Sequence, residues 1–115
     1  MNRSDLIDLI VQYNEQEIKI LNSKGAEYNQ IDNVFSNFER VAAQQNLTRE
    51  QVLLVYLSKH HDSILKMVDA IVNRDARHFT ELSEPWPGRF HDVRNYYGIL
   101  GAMVWDFVDN NPFPG

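Results

Sequence analysis

Four stretches of this chain repeat apolar side chains every three to four residues, and no stretch of strand length alternates apolar with polar. A period near 3.6 keeps one helical face apolar, whereas a half-buried strand needs a period of two. This restricts the chain to an all-α fold. The first stretch spans about Asp5 to Asn22, with Ser4 as N-cap and Ser23-Lys24-Gly25 as its end. A polar connector from Ala26 to Asn33 leads into a second, from about Val34 to Gln45. Thr48-Arg49-Glu50-Gln51 opens the third as a capping box, and that helix runs to about Asn73. Arg74 to Gly88, with Pro85 and Pro87, reads as a loop, and the fourth helix covers about Arg89 to Asp109. Four helices with short or moderate links predict a small antiparallel bundle of about four helices.

The 115 residues suit a single domain over 1–115, large enough for one core. With 43% hydrophobic and 23% charged residues the chain has globular rather than disordered composition. Its net charge of −5 argues against direct binding to nucleic acid, which needs a local surplus of Lys and Arg. The absence of cysteine excludes disulfides and thiolate metal sites. Neither a signal peptide nor an apolar run of membrane-spanning length is visible, so the expected location is cytoplasmic, without a membrane partner.

The expected core stripes contain polar residues that a surface cannot explain. The first helix aligns Leu6, Tyr13 and Leu21 with Glu17, and the third aligns Leu53, Tyr56, Ile64 and Met67 with His60. A carboxylate on a core face must be paired, protonated or bound to something. Two accounts are open: Glu17 and His60 line an internal polar site, with Asp92 from the fourth helix, or they form a structural pair. Either requires the first and third helices to be neighbours. By contrast Lys59, Asp62, Lys66 and Asp69 form a stripe opposite the apolar arc, which reads as a solvated face.

On the fourth helix Phe90, Val93, Tyr97, Leu100, Val104 and Phe107 form the expected core arc. Gly98, Gly101, Ala102 and Trp105 form a second face, beside His91 and Asn95. Glycine inside a helix costs about 1 kcal/mol relative to alanine. Two of them in one turn point to a close approach, either to another helix of the chain or across the axis of a homodimer or higher homo-oligomer. No phosphate loop, nucleophile elbow or cysteine nucleophile is present. Adjacent His60 and His61 diverge by about 100° on a helix, so no metal site is expected.

Three blocks are also familiar as a set: Lys24-Gly25-Ala26-Glu27-Tyr28-Asn29-Gln30-Ile31-Asp32-Asn33-Val34-Phe35-Ser36-Asn37-Phe38, then Lys59-His60-His61-Asp62-Ser63-Ile64, then Leu82-Ser83-Glu84-Pro85 with Gly88-Arg89 and Asp92-Val93-Arg94-Asn95-Tyr96. Together they resemble a group of small bacteriophage proteins, the nucleotide-modification-associated domain 1 group, itself distantly similar to helical MazG-like nucleotide pyrophosphohydrolases. The resemblance runs from about Lys24 to Asp106 and implies a phage accessory protein that binds a nucleotide or nucleotide-like ligand. On it, Lys24, Lys59 and Arg89 neutralise phosphate, Tyr28 and Phe35 stack on a base, and Asn33 and Asn37 bond its edge. A structural account stands beside this one, with Phe35 and Phe38 in the core and the asparagines capping the second helix. MazG-like enzymes hold Mg²⁺ on paired carboxylates spaced E-x-x-E and E-x-x-D. Glu15 and Glu17 do not have that spacing, and the third helix offers only Asp62 and Asp69 on its polar side. The resemblance therefore implies no intact catalytic motif, leaves Mg²⁺ a weak cofactor candidate, and favours binding over turnover. The alternative is a binding-only inhibitor of host antiviral defence. Such a protein would sequester a cyclic nucleotide, or use its acidic surface to block a host nucleic-acid-binding protein.

Overall fold

The computed structural model describes residues 1–28, 33–80 and 85–111, the side chains of residues 24–28 excepted. It is all-α, with five helices in place of four: α1 Arg3–Tyr28, α2 Ser36–Gln45, α3 Arg49–Val72, α4 Arg77–Thr80 and α5 Pro87–Asn110. No strand occurs among the described residues, and none of their helices is long and apolar enough to cross a membrane.

Helix ends follow local chemistry. α1 begins two residues earlier than expected, because Asn2 and Asp5 act as the cap. Asn2 Oδ1 accepts from the Asp5 N–H at 2.8 Å, and the Asp5 carboxylate accepts from the Asn2 N–H at 3.3 Å. Ser4 is therefore inside the helix rather than at its cap. α1 also continues through Gly25 to Tyr28. α2 begins at Ser36, two residues later than expected, after a turn in which Asn33 Oδ1 accepts from the Phe35 N–H at 3.1 Å. It ends on Asn46 in the left-handed conformation, with φ 55°. α3 opens with the Thr48–Gln51 capping box read from the sequence, both bonds being formed. α5 opens on Pro87 in its first turn, where a missing N–H costs nothing. The expected loop before it contains the single turn α4.

α3 and α5 lie antiparallel, since Arg49 at the start of α3 reaches Asp106 near the end of α5, whereas His60 meets Asp92. α2 packs on α3, and α1 packs on the other flank of α5. The core sits between α2, α3 and α5. Leu53 and Met103 are fully buried there, with Phe38, Ala42, Val52 and Leu57 around them. The α5 stripe that enters this core is Tyr96, Ile99, Leu100 and Met103. The expected arc is thus rotated by about one residue: Val93 and Leu100 do pack inward, but Tyr97, Val104 and Phe107 are exposed. The α1 stripe is rotated as well. Leu6, Ile10 and Leu21 are exposed, while Tyr13, Glu17 and Ile20 turn inward.

One cation joins three helices. Arg49 donates to Asp106 at 2.9 Å, to the Met103 carbonyl at 3.2 Å and to Glu50 at 3.0 Å. Its guanidinium also lies 4.6 Å from the Phe35 ring centroid, just ahead of α2. Despite these ties the fold is open. Its radius of gyration is 17.0 Å, against about 13 Å for a compact chain of this length.

Candidate functional site

The polar residues of the chain's middle converge on the N-terminal half of α5, from two sides. From α1 comes Glu17, which is only 4% exposed. Its Oε2 takes a 2.6 Å hydrogen bond from His91 Nδ1, and its Oε1 a 2.8 Å bond from Arg94 Nε. A carboxylate only accepts, so the Nδ1 of His91 carries the proton, which leaves Nε2 as the acceptor when the ring is neutral. Asn95 Nδ2 donates to the Glu17 backbone carbonyl at 3.3 Å. Tyr13, one turn earlier on α1, closes the cluster: its ring meets His91 edge-on at 5.1 Å and the Arg94 guanidinium at 4.8 Å. Burial alone would raise the Glu17 carboxyl, but the bonds from Arg94 and His91 outweigh it and hold it below its ordinary value.

From α3 comes His60, whose Nδ1 lies 3.7 Å from Asp92 Oδ2 and whose ring stacks at a tilt on Tyr96, 5.0 Å between centroids. Burial pushes the Tyr96 phenol up, and the nearby charge of Asp92 adds to that. His61, next along α3, reaches the outer side of the helix pair, where its Nε2 lies 3.1 Å from the Tyr97 hydroxyl.

Glu17 and His60 therefore do not pair with one another, and the expectation that they do is corrected here. His91 and Asp92, their respective partners, are consecutive on α5 and diverge by about 100°. α1 takes its seat on α5, so the two inward polar residues meet a shared helix from different flanks. The reading of Glu17 as enclosed and partnered agrees with the structure. His91, Arg94 and Asn95 were not singled out as its partners, although their spacing of three and four places them on one face. His91 and Asn95 lie beside the Gly98 and Trp105 face, as the spacing of α5 requires, and it is there that α5 meets Glu17 of α1.

The remaining candidates scatter. Lys59 is exposed beside His60, and Asp92 and Arg89 are half-buried in the first turns of α5. Asn33 is occupied in the turn before α2, and Asn37 Oδ1 accepts from Arg40 at 2.7 Å, so both serve local structure. Phe35 packs against the core and Phe38 is part of it. The side chains of Lys24 and Tyr28 lie outside the described residues. Among the described residues no three His, Asp or Glu side chains gather as a metal ion would need. Lys59, Asp62, Lys66 and Asp69 are all exposed, as a solvated stripe requires. Comparison of the chain with family models, with curated proteins and with solved structures gives no match.

Proposed function

We propose that this chain is a phage accessory protein that binds a nucleotide or nucleotide-like ligand by its phosphate, where the middle of α3 meets the first turns of α5. The observation that carries this reading is the half-buried His60–Asp92 pair backed by Tyr96. It borders exposed Lys59 and lies one residue from the enclosed Glu17–His91–Arg94 cluster. Charged groups already held in place by one another lose little freedom on meeting a charged ligand. Lys59 and Arg89 supply positive charge, His60 supplies a donor, and the ring of Tyr96 lies beneath His60. The resemblance to nucleotide-associated phage proteins supports the choice of ligand class. The carboxylate spacing that holds Mg²⁺ in MazG-like enzymes is missing, which favours binding without turnover.

A thermal-shift screen with nucleoside phosphates, cyclic dinucleotides and Mg²⁺ tests the proposal, because a ligand of the folded state alone raises its apparent stability. The expected result is a rise in Tm with one phosphate-bearing class, lost in Lys59→Ala and reduced in Asp92→Asn. No shift with any class, or an unchanged shift in both variants, would remove this region from consideration. Capture of a cyclic nucleotide without hydrolysis would assign the chain to the sequestering form of defence inhibition.

A further inference from the structure

Large apolar side chains of α3 and α5 remain uncovered on one continuous side of the helix pair. On α3, Leu54, Leu65 and Val68 recur at heptad-like spacing with His61 among them, and each is at least half exposed. On α5, Tyr97, Val104 and Val108 follow the same spacing and are about half exposed, at 49%, 50% and 48%. The His61–Tyr97 hydrogen bond ties the two stripes into a single face. Gly101 lies within it and Trp105, 74% exposed, at its border. A Cβ built on Gly98 or Gly101 would meet nothing within 4 Å, so no contact among the described residues accounts for either glycine. Among the described residues, then, neither glycine allows a close approach of another helix of the chain.

We propose that this α3–α5 face is the seat of a second copy of the same chain, packed face to face as a four-helix layer with Gly101 near the axis. The uncovered area of the whole chain, α1 included, is of the size that a second copy can cover. The chain exposes 8834 Å², whereas a compact monomer of 13.5 kDa exposes about 6,500 Å². The excess is roughly 2,300 Å² per chain. Shared between this face, α1 and the rest of the surface, that excess leaves room for the share each partner contributes to an obligate homodimer. The radius of gyration, 17.0 Å, points the same way. A twofold pairing also explains Gly101, since equivalent helices crossing at a symmetry axis approach most closely where side chains are smallest. The face is distinct from the His60–Asp92 flank, so this inference stands independently of the ligand reading.

Light scattering of the unaltered protein, followed by Val104→Lys and Leu65→Lys, is the test. The expected result is a mass of two chains that falls to one in both variants, while Glu15→Lys, exposed on α1, leaves it unchanged. Gly101→Leu separates the alternatives by sign. In an isolated chain the new side chain meets open space and improves helix propensity, so Tm rises. In the pair it meets the partner, so Tm falls and the mass halves. If a variant does not fold, Trp86→Phe leaves Trp105 as the sole indole. Its emission should be shifted to the blue and shielded from quencher at high concentration, and move to the red on dilution. A monomeric mass at every concentration overturns the proposal. So does a dimer that survives both lysine variants, or one that Ile18→Lys on α1 dissociates while Val104→Lys does not.

Discussion

At Glu17 a carboxylate is taken almost wholly out of water, which would cost several kcal/mol if nothing met it. Two charge-assisted hydrogen bonds more than offset that cost, and the carboxyl titrates below its ordinary value of 4.5. A group whose folded value is depressed stabilises the fold fully above its unfolded value and loses that contribution as pH falls through the folded one. The chain should therefore lose stability below about pH 4.5, and Glu17→Gln should flatten the acid limb of a denaturation series. At neutral pH Glu17→Ala should cost about 2–3 kcal/mol, discounted because Arg94 is half open to solvent. Double-mutant cycles separate the partners. Glu17 should couple to His91 by about 1–3 kcal/mol, whereas Glu17 and His60 should add to within about 0.5 kcal/mol. Coupling of Glu17 to His60 instead would show that α1 sits elsewhere. The periodicity of α1 sufficed to show that Glu17 turns inward, because that depends on one helix alone. Its partner was not legible. His60 and His91 are both histidines at inward positions, and choosing between them requires knowing which helix α1 lies against. Arg49 escapes the sequence for the same reason: there it is a charge in a helix's first turn, and of its three acceptors only Glu50 is a neighbour, the Asp106 carboxylate and the Met103 carbonyl being distant in the chain. Arg49→Lys, which loses the forked geometry, should cost about 1–3 kcal/mol in chemical denaturation.

Helix boundaries were readable where a side chain satisfies the backbone within one turn. The Thr48–Gln51 box is such a case, and Thr48→Ala should lower stability by about 1 kcal/mol. Gly25 misled because a glycine near the end of an apolar stripe stops a helix only if the backbone turns left-handed there, and α1 continues instead. The inward stripe of α5 was harder still. Apolar residues lie on nearly every side of that helix, so periodicity permits several arcs. What selects the arc through Tyr96, Ile99 and Met103 is contact at both ends, His60 with Asp92 and Arg49 with Asp106. Two adjacent substitutions on α5 check the choice. Met103→Ala should cost about 2–5 kcal/mol, because it empties the centre of the core. Val104→Ala, measured with the protein dilute, should cost far less.

For the molecule as a whole, the ratio of core to surface decides what can be stable alone. The described core is a single layer between α2, α3 and α5, and α1 is attached to one flank of α5 by Tyr13 and Glu17. A chain of this size is only marginally stable even when compact, because burial and ordering entropy nearly cancel. With roughly 2,300 Å² more surface than a compact monomer, the folded chain forgoes much of that burial unless another surface supplies it. Folding and pairing are then linked, and mass action makes the midpoint of unfolding depend on protein concentration. Tm should rise steadily as the protein is concentrated, and urea midpoints should move with it. In Val104→Lys both should become independent of concentration and lie lower. Hydrogen exchange in the unaltered protein should be slowest in α3 and α5, which would carry both the core and the pairing face, and fastest in α1. A concentration-independent midpoint with equally slow exchange in all three long helices would mean that the chain completes its own core, with α1 folded down over the open face.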